Sequence, residues 1–544
     1  MVSSLFGYYN SVRAMQVNQA ALNIVNNNIS NMNTEGYSKQ SLDLEQNVLN
    51  NNTSNLYELA QAGGGADIQA ISRNREAFLD NYYRNENSTM EYYDEYSSNV
   101  KLIESITNEL GTSSISTALS NFYAASQKLS TNPSDSVVRN NFLQASQDLC
   151  IKFNQTSSQL ANLRESVAGD VNKDGSLELS KIAVTCDDLN QKLEALTDLN
   201  KNIALTSSQG LTPNGLLDQR DLLLDQISSI IPVSIETNSG NLVTLKFNSV
   251  TLVGGTEKFA SFKPTKGLTN DQPAVVQLVD VNSNPLIADI STKSPTGTLG
   301  ALLDISGSNA SKLNVNNMLK DLNTLATTFA NEVNTLQRGG QYIDSATNTL
   351  KLVTTNVSDG VGGTTVLTVP ASAAPFDVFV NDATLNSVVA ASDITAANIT
   401  ISNNILNDPF KIAASKSAVT PADTAVLGST DTINDVNAIG DGANALVLAQ
   451  LRTKTITALN KNTTEGFLTS LSGRVGVQSQ SINDKHSVQS SIMSQIETKR
   501  ASVSGVNLDE ELSDLIKYQR AYEASARVFS TVDSILKTIL GLVG

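Results

Sequence analysis

One short segment has the spacing of a calcium-binding loop. It is DVNKDGSLELSK, residues 170–181, in which Gly175 stands where such loops turn sharply. The candidate ligands, at the first, third, fifth and ninth positions, are Asp170, Asn172, Asp174 and Glu178. The twelfth position needs a bidentate carboxylate, but it is Lys181, which removes two oxygens and adds a positive charge. We therefore expect a polar turn between two helices, and we keep the four residues only as a weak calcium candidate.

A second concentration of charge lies in PNGLLDQRDLLLDQIS, residues 213–228. Asp218, Asp221 and Asp225 recur at steps of three and four, so they share one side of a helix, with Arg220 among them. Two carboxylates on one helix are able to perform acid–base chemistry. Charges of both signs at this spacing are more typical of an exposed, ion-paired helix face, which is what we expect here.

The remaining reactive residues exclude most kinds of catalytic and metal site. There is a single histidine, His486, so zinc sites of the three-His or His/Cys type are excluded, as are serine–histidine–aspartate triads that do not use it. Cys150 and Cys186 form no CxxC pair, and we expect two buried thiols, with a disulfide as the alternative. The segments GDGANAL and LVGGTEK are rich in glycine but lack the spacing of a phosphate-binding loop. We expect no enzyme activity, no cofactor and no metal.

Bulk properties describe an acidic chain of several domains. With 544 residues, 40% of them apolar, the chain is too long for one hydrophobic core. The net charge of −16 argues against a nucleic-acid partner, because phosphate binding requires clustered cations. No apolar run is long enough to span a membrane, and the N-terminus lacks the pattern of a cleaved signal peptide. These features indicate either the cytoplasm or export by a route that reads no such signal.

Both ends of the chain have the apolar spacing of long helices with a heptad-like seam. The N-terminal series is Leu5, Tyr8, Val12, Met15, Leu22 and Ile29. The C-terminal series is Leu508, Leu512, Leu515, Tyr522, Ala526, Phe529, Val532, Leu536, Ile539 and Val543, with Gln519 in the remaining slot. Asn507 is a candidate N-cap for the second helix. One seam buries too little apolar surface to order both segments, so they need partners from their own domain or from other subunits.

Between the two ends, helical and β-like segments alternate. Gly63, Gly64 and Gly65 indicate a hinge, and alternating apolar and polar residues predict hairpins over 233–295 and again over 345–400. We predict a multidomain α+β fold with terminal coiled-coil helices, a helical domain built from both halves of the chain, and inserted β-rich domains. The predicted domains are 1–62 with 505–544, 63–230 with 298–340 and 400–504, the β-rich insert 231–297, and a second β-rich insert 341–399.

Several motifs resemble the bacterial flagellar axial proteins. LNIVNNNISNMNTEGYSKQ, residues 22–40, is similar to the N-terminal signature of rod, hook and junction subunits. SGVNLDEELSDLIKYQRAYEASARVFSTVDSIL, residues 504–536, resembles the hook-associated proteins of the hook–filament junction, as do residues 213–228, 440–451 and 499–511. The chain departs from that pattern in extra residues around 166–181 and in an end, LVG, without a basic residue. The β-like blocks add little to the resemblance.

The resemblance implies a structural subunit that joins hook to filament without catalysis. Its partners would be further copies of itself in a ring-like helical assembly, the hook protein, a second junction protein on the flagellin side, and a cytoplasmic export chaperone. Export would use the flagellum's own type III channel, which places the protein outside the cell. The family's terminal segments are disordered in the free subunit and form a helical tube on assembly. The alternatives are another axial subunit, of hook or filament type, or a secreted calcium-binding adhesin.

The residues expected to carry assembly lie near the two ends. We expect the amides after residue 26 to end the first helix, Gly36 to reverse the chain, and Tyr37 to pack against that helix or a neighbour. The N-terminal set is Leu5, Val12, Met15, Leu22, Asn27, Asn28, Ile29, Ser30, Asn31, Gly36 and Tyr37. The C-terminal set is Gly505, Val506, Asn507, Leu508, Leu512, Leu515, Gln519, Tyr522, Phe529 and Leu536.

Overall fold

Long helices form most of the chain. The computed structural model describes residues 2–46, 65–107, 114–170, 173, 177–238, 240–265, 274–293, 295–307, 309, 311–346, 349–352, 356–358, 364–366, 377–383, 385, 390–416 and 439–543. Within these residues the helices are α1 Val2–Asn31, α2 Ala77–Ile106, α3 Ile115–Thr131, α4 Ser136–Ala168, α5 Lys181–Ser208, α6 Asn214–Ile230, α7 Gly297–Ser306, α8 Val315–Arg338, α9 Asn403–Asn407, α10 Ala443–Gln450, α11 Thr464–Ser504 and α12 Leu508–Val543. None of these helices is both long enough and apolar enough to cross a membrane.

The first and last helices pack against each other. The rings of Tyr8 and Phe529 have centroids 4.8 Å apart, and near the other end of the pair Asn28 Nδ2 donates to Glu511 Oε2 at 3.0 Å. Residue numbers rise along α1 as they fall along α12, so the two helices run antiparallel. We call α1 and α12 the terminal pair, the end near Asn28 and Glu511 its proximal end, and the other end its distal end.

A two-stranded hairpin follows α1 and leads into the body. Strands β1 Gln40–Gln46 and β2 Ala66–Arg73 are antiparallel, with Gln40 opposite Arg73. The predicted domain boundary at residue 62 therefore lies between two strands that pair with each other.

The body is a helical assembly with an aromatic centre. Phe122 of α3 packs against Phe142 of α4 and Phe329 of α8, with ring centroids 5.2 and 5.1 Å apart. Phe379, from a strand of the second β block, lies 5.3 Å from Phe329 and completes the cluster. These rings are fully buried, and they join α3 and α4 to α8 and to the strand of Phe379, which are distant from them in sequence. Helices from both halves of the chain thus share one core.

Side-chain caps begin the body helices where the sequence supplies Ser, Asp, Asn or Thr. Ser114, Asp135, Asn314 and Thr463 each accept a hydrogen bond from a backbone N–H in the first turn of α3, α4, α8 and α11, respectively. The contacts between α2 and α11 include polar ones. Ser97 Oγ donates to Asn483 Oδ1 at 3.0 Å, and Ser479 Oγ donates to Glu104 Oε2 at 2.8 Å.

The first β block inserts between α6 and α7. Its strands are β3 Ser234–Thr237, β4 Val243–Phe247, β5 Val250–Gly254 and β6 Glu257–Lys258 in one antiparallel sheet, and β7 Ala260–Thr265, β8 Val275–Asp280 and β9 Pro285–Ile287 in another. Alternate residues of β4 are buried, as a half-covered strand requires. Asn248 and Ser249 have φ of 47° and 71°, which suits the tight hairpin turn between β4 and β5.

The second β block follows α8 and consists of short antiparallel strands, three of them in one sheet in the order β11-β10-β16 and the others in pairs. Its strands are β10 Gly340–Asp344, β11 Thr349–Leu352, β12 Asn356–Ser358, β13 Thr364–Val366, β14 Phe379–Asn381, β15 Ile399–Ile401 and β16 Ser415–Lys416. Buried Asn334 of α8 anchors β14, because its amide donates to Phe379 O at 2.7 Å and accepts from the same residue's N–H at 3.0 Å. The predicted multidomain α+β class is confirmed.

Candidate assembly site

The asparagine-rich segment 26–31 forms the last turn and a half of α1. Two of its side chains bond main-chain carbonyls one turn back: Ser30 Oγ donates to Asn26 O at 2.8 Å, and Asn31 Nδ2 donates to Asn27 O at 2.9 Å. The helix ends at Asn31, close to where the sequence predicted its end.

The side chain of Asn28 is buried and joins α1 to other elements. It is 1% exposed and its amide makes four hydrogen bonds, which is all that it has capacity for. Nδ2 donates to Gln40 O and to Glu511 Oε2, both at 3.0 Å, and Oδ1 accepts from Gln40 N at 3.0 Å and from Tyr37 Oη at 2.8 Å. One side chain therefore joins α1, the turn after it, strand β1 and the start of α12.

Gly36 and Tyr37 shape the turn that carries the chain back along α1. Gly36 has φ of +77°, a conformation that favours glycine, and a Cβ there would lie 3.0 Å from Leu222 Cβ of α6. Burial, followed by the carboxylates of Asp218 and Glu511, raises the pKa of Tyr37 to about 12. The hydroxyl therefore keeps its proton and stays a donor to Asn28.

The connection between α11 and α12 meets the same turn. A Cβ on Gly505 would lie 2.4 Å from Ala501 O, so this position requires glycine. Asn507 Oδ1 accepts from Asp509 N at 3.0 Å, and the predicted N-cap is thereby observed. The main chain of Lys39 donates to Ser504 O at 2.8 Å, which ties the segment after α1 to the end of α11.

Lys39 pairs with two carboxylates in the first turn of α12. Its Nζ lies 3.2 Å from Glu510 Oε2 and 3.0 Å from Glu511 Oε1. Burial lowers the pKa of Lys39, but the contacts with Glu511 and Glu510 outweigh it and leave the pKa raised. The two carboxylates differ in environment, because the side chain of Glu510 is 66% exposed and that of Glu511 is 2% exposed.

Beneath the proximal end lies a set of buried ion pairs, which we call the charge cluster. Its members are Asp80, Asp218, Asp221, Asp225, Arg73, Arg75, Arg84, Arg220 and Arg500. The prediction that the charges of 213–228 form an exposed helix face is wrong, since Asp218, Arg220 and Asp221 are each no more than 7% exposed. They are ion-paired as predicted, but their partners come from β2, α2 and α11 and cover them.

The cluster is held by short contacts between elements that are far apart in sequence. Arg73 Nη1 donates to Asp218 Oδ1 at 2.9 Å and to Asp221 Oδ2 at 2.8 Å. Asp225 accepts from Arg84 Nε at 2.7 Å and from Arg500 Nη2 at 2.6 Å. The cluster thus binds α6 to β2, α2 and α11.

One carboxylate of the cluster, that of Asp221, shows how strongly the cations act. Burial raises the pKa of Asp221, but Arg220, Arg75, Arg73 and Arg84 together outweigh it and lower the pKa to about 2. The carboxylate is therefore charged at every physiological pH.

Ser38 connects the charge cluster to the terminal pair. It is fully buried, and its Oγ donates to Asp218 Oδ1 at 2.7 Å and accepts from Arg75 Nε at 2.8 Å. The neighbouring residues Tyr37 and Lys39 contact Asn28 and Glu511. A continuous buried polar network therefore runs from α12 through residues 28–40 to α6, α2 and α11.

The predicted seam residues are only partly covered by the terminal pair. Among the side chains of α1 that the structure describes, from residue 7 onward, the buried ones are Ser11, Val17, Ala21, Ile24, Val25 and Asn28. The predicted residues Val12, Met15, Leu22, Ile29, Val506, Leu515, Tyr522, Phe529 and Leu536 are half-buried, while Leu508, Leu512 and Gln519 are exposed. The side chain of Leu5 is outside the described part of the structure.

Comparison with known proteins shows which proteins this chain resembles. The family model for the helical domain of flagellar hook-associated protein FlgK matches residues 100–350. The models for the C-terminal part of the flagellar basal body rod FlgEFG proteins and for the flagella basal body rod protein match residues 498–542 and 9–37. Flagellar hook-associated protein 1 of Bacillus subtilis is 27% identical over 564 aligned residues, which cover 100% of this chain and 99% of that protein. The chain resembles flagellar hook-associated proteins along its whole length.

Other relatives and one solved structure agree with this result. Flagellar hook-associated protein 1 of Escherichia coli is 23% identical over 98% of this chain and 99% of its own length. The structure of the flagellar hook junction protein FlgK from Burkholderia pseudomallei matches with a TM-score of 0.55 at 18% identity, covering 78% of this chain and 100% of that one. The resemblance predicted from the sequence is confirmed, and the similarity supports a structural flagellar subunit.

The calcium candidate gains no support from the described residues. Asn172 and Asp174 lie outside them. In the part of the chain that the structure describes, no group of three His, Cys, Asp or Glu side chains is placed to hold a metal ion. Lys173 pairs with Glu165 at 2.7 Å, and Lys181 donates to Glu95 Oε1 at 3.0 Å.

The other reactive side chains have structural surroundings. Cys150 and Cys186 are buried free thiols, as predicted, and burial raises the pKa of both. His486 Nε2 lies 3.3 Å from Asp94 Oδ1 on the polar seam between α2 and α11.

Sequence reasoning found part of the site and missed the rest. It singled out Asn28, Gly36 and Tyr37, but Glu511 was not among its candidate residues. Ser38 and Lys39 stand inside the quoted motif, but nothing in their type or spacing marked them. Arg73 carried no signal, because its partners Asp218 and Asp221 are 145 and 148 residues away in the chain.

Proposed function

We propose that this protein is a structural subunit of the bacterial flagellum, located outside the cell at the junction between hook and filament. It joins the two by packing its terminal pair against the terminal pairs of neighbouring subunits, and it performs no catalysis. Export through the flagellar type III channel delivers it without a cleaved signal peptide. Its partners are further copies of itself, the hook protein, the second junction protein on the flagellin side, and an export chaperone in the cytoplasm.

The observation that carries this proposal is the apolar surface that α12 leaves uncovered. Leu508, Leu512 and Ile516 are 39%, 44% and 59% exposed, and their spacing of four residues puts them on one helix face. Val528 and Ile535, 52% and 47% exposed, lie on another face. Large apolar side chains repeated along a helix indicate a contact surface for other chains.

The architecture fits a subunit that adds to its neighbours in series. Exposed apolar side chains on two faces of one helix allow contacts with different neighbours, and such head-to-tail contacts generate rings or helical tubes. We keep the four-part domain division given above as part of the proposal. The terminal domain then forms the tube, and the helical body and β blocks stand outside. Another axial subunit, of hook or filament type, is the competing assignment.

A gene deletion and an addition assay test the assignment. When the gene is deleted from a normally flagellated strain, electron microscopy should show hooks without filaments. The purified full-length protein should add to isolated hooks without forming long polymers alone. Long polymers of the protein alone would favour a filament-type subunit, and normal filaments in the deleted strain would overturn the proposal.

A pair of surface variants tests the role of α12. Leu512→Asp with Ile516→Asp should abolish addition to hooks, because it places carboxylates in the proposed contact surface. The matched control is Val184→Asp with Leu205→Asp on α5, which are 57% and 63% exposed and lie outside that surface. Equal addition by both double variants would contradict the proposed contact.

A further inference from the structure

The turn before α5 holds an apolar side chain in the solvent. Leu179 is 84% exposed, more than any other large apolar side chain in the part of the chain that the structure describes. Leu177 and Ser180 anchor the turn, because both are buried and Ser180 Oγ donates to Leu177 O at 2.6 Å. Glu178 is exposed beside Leu179. We call residues 177–180 the knob. One exposed leucine is ordinary on a protein surface, so the knob gains meaning only from a surface that matches it.

A groove with matching apolar surface opens between α8 and α11. Its volume is about 440 Å³, which is in the range typical of binding pockets. Leu313, Met318 and Leu471 line it, and the last two are no more than 5% exposed, so they form its floor. Val477 lies at its edge and is 69% exposed. The groove therefore presents apolar surface to a side chain that arrives from outside.

The charges at the groove suit a carboxylate. The charged side chains that line it are Lys312, Arg474 and Asp321, which are two cations and one anion. Lys312 pairs with Asp304, and Arg474 pairs with Asp321. The side chains of the two cations are 40% and 58% exposed, and each has further N–H groups with which to bind a second carboxylate. The apolar floor and exposed cations together match a segment that carries a leucine next to a glutamate.

The knob and the groove lie on opposite sides of α2. Glu95 of α2 accepts from Lys181, the residue that follows the knob, at 3.0 Å. Ser97 of α2 donates to Asn483 of α11 at 3.0 Å. Two positions on a helix differ by about 200° in direction, so the start of α5 and α11 flank α2 from opposite sides. The knob therefore cannot reach the groove of its own chain.

The knob and the groove also lie at one level along α2. Tyr96, the residue after Glu95, donates to Leu313 O at 2.7 Å, and Leu313 lines the groove. Glu95 binds the start of α5, next to the knob. A second copy that stands beside this chain at the same height can therefore place its knob in this groove.

We propose that the knob of one subunit inserts into the groove of a neighbouring copy of this chain. Leu179 covers the apolar floor, and Glu178 pairs with Arg474. A contact between two different surfaces of one chain is head-to-tail, and its repetition generates a ring or a helical tube. This inference rests on the proposed function and adds to it a contact between the helical bodies, apart from the terminal pair. The knob belongs to the segment in which the sequence departs from the flagellar pattern, so we expect the contact to be particular to this chain.

Disulfide cross-linking between subunits tests the contact. The full-length variant carries Leu179→Cys in the knob and Val477→Cys at the groove, both at exposed positions, while the native Cys150 and Cys186 are buried. It is added to isolated hooks, oxidised and separated on a denaturing gel. We expect a ladder of covalent dimers, trimers and larger species, because each chain contacts one neighbour through its knob and another through its groove. Either substitution alone should leave monomers.

The matched control is Leu205→Cys with Val477→Cys. Leu205 is 63% exposed and lies near the other end of α5, away from the knob. This variant should add to hooks as well as the first one does, but it should give no ladder. Circular dichroism shows whether each variant is folded.

A further pair of substitutions tests the charged part of the contact. In the variant with cysteines at 179 and 477, Glu178→Lys should slow cross-linking by about two- to fivefold, the effect expected from loss of an exposed ion pair. Glu194→Lys changes an exposed glutamate elsewhere on α5 and should leave the rate unchanged. Equal rates for these two variants would contradict the pairing of Glu178 with Arg474.

Three results would overturn the insertion of the knob. They are the absence of a ladder both on hooks and in a concentrated solution of the free chain, equal ladders from the control pair, and dimers from Leu179→Cys alone, which would mean that the knob contacts its own copy. Failure of the wild-type protein to add to hooks is a different result. It would contradict the proposed function, and the ladder in concentrated solution would still decide the contact.

Discussion

Replacing Asp221 with asparagine tests whether the charge cluster stabilises the fold. The carboxylate lies 2.8 Å from Arg73 Nη1 and Arg75 Nη1, 2.9 Å from Arg220 Nη2, and 3.8 Å from Arg84 Nη2. Asparagine preserves the shape of the side chain but removes its charge. The four guanidinium groups then lie close together without the carboxylate that offsets their mutual repulsion.

The expected loss of stability follows from the pKa and the burial of the carboxylate. Burial raises the pKa of Asp221, but the four arginines lower it from 3.8 to about 2. This difference corresponds to about 2 kcal/mol of unfolding free energy at neutral pH. Removal of one partner from a buried ion pair generally costs about 3–5 kcal/mol. We therefore expect Asp221→Asn to lower the unfolding free energy by about 2–4 kcal/mol.

Urea unfolding followed by circular dichroism measures this loss. The control is Asp198→Asn, which removes the same charge from an exposed pair with Lys201 at 2.9 Å, in which both side chains are more than half exposed. It should cost less than about 1 kcal/mol. If the two variants unfold at the same urea concentration, the claim that the buried cluster stabilises the body is refuted.

Four further predictions concern pH, assembly and packing. The pKa of Asp221 is lower in the folded state than its unfolded value of 3.8, so its contribution to the unfolding free energy is present above about pH 4 and is lost as the pH falls through about 2. On acidification the urea midpoint should therefore fall more steeply in the wild type than in Asp221→Asn. Parallel curves for the two proteins would contradict this. Gly36→Val should block addition to hooks, since it forces a branched side chain into φ +77° and against Leu222, and normal assembly of this variant would refute the role of the turn. Arg139→Met should lower the unfolding free energy by about 3 kcal/mol or more, because the guanidinium of this 1%-exposed residue donates to four main-chain carbonyls. An unchanged urea midpoint would contradict this role of Arg139. Phe122→Ala should cost about 3–5 kcal/mol, and Phe78→Ala, at a position 72% exposed, should have little effect; similar losses would disprove the assigned core.

The order of helices and β blocks could be predicted because the spacing of apolar residues along the chain differs between helices and strands. Apolar residues at steps of three and four indicated α1 and α12, and alternation indicated the strands of the first β block. The N-cap at Asn507 and the left-handed turn at Gly36 also follow from residue type alone. Such features depend on neighbours within one or two turns of the chain.

The buried polar network could not be predicted, because its contacts are not local. Asn28 and Glu511 are 483 residues apart, and Asp225 and Arg500 are 275 residues apart. The charges of α6 have the spacing of a solvated helix face, and only the arrival of cations from β2, α2 and α11 turns that face inward. Hydrophobic periodicity also missed part of the buried face of α1. Its buried side includes the small or polar residues Ser11, Ala21 and Asn28, which hydrophobic periodicity overlooks.

The antiparallel course of α1 and α12 has a consequence for how such a chain can vary. The polypeptide leaves the terminal pair near residue 40 and returns to it near residue 504, and the backbone bond between Lys39 and Ser504 closes that excursion at its neck. Residues 40–504 thus leave the terminal pair and return to it at one closed point. Lengthening or exchanging a module within them does not change the distance between the two chain segments at that point. Evolution and protein engineering can therefore change the outer modules without altering the terminal pair.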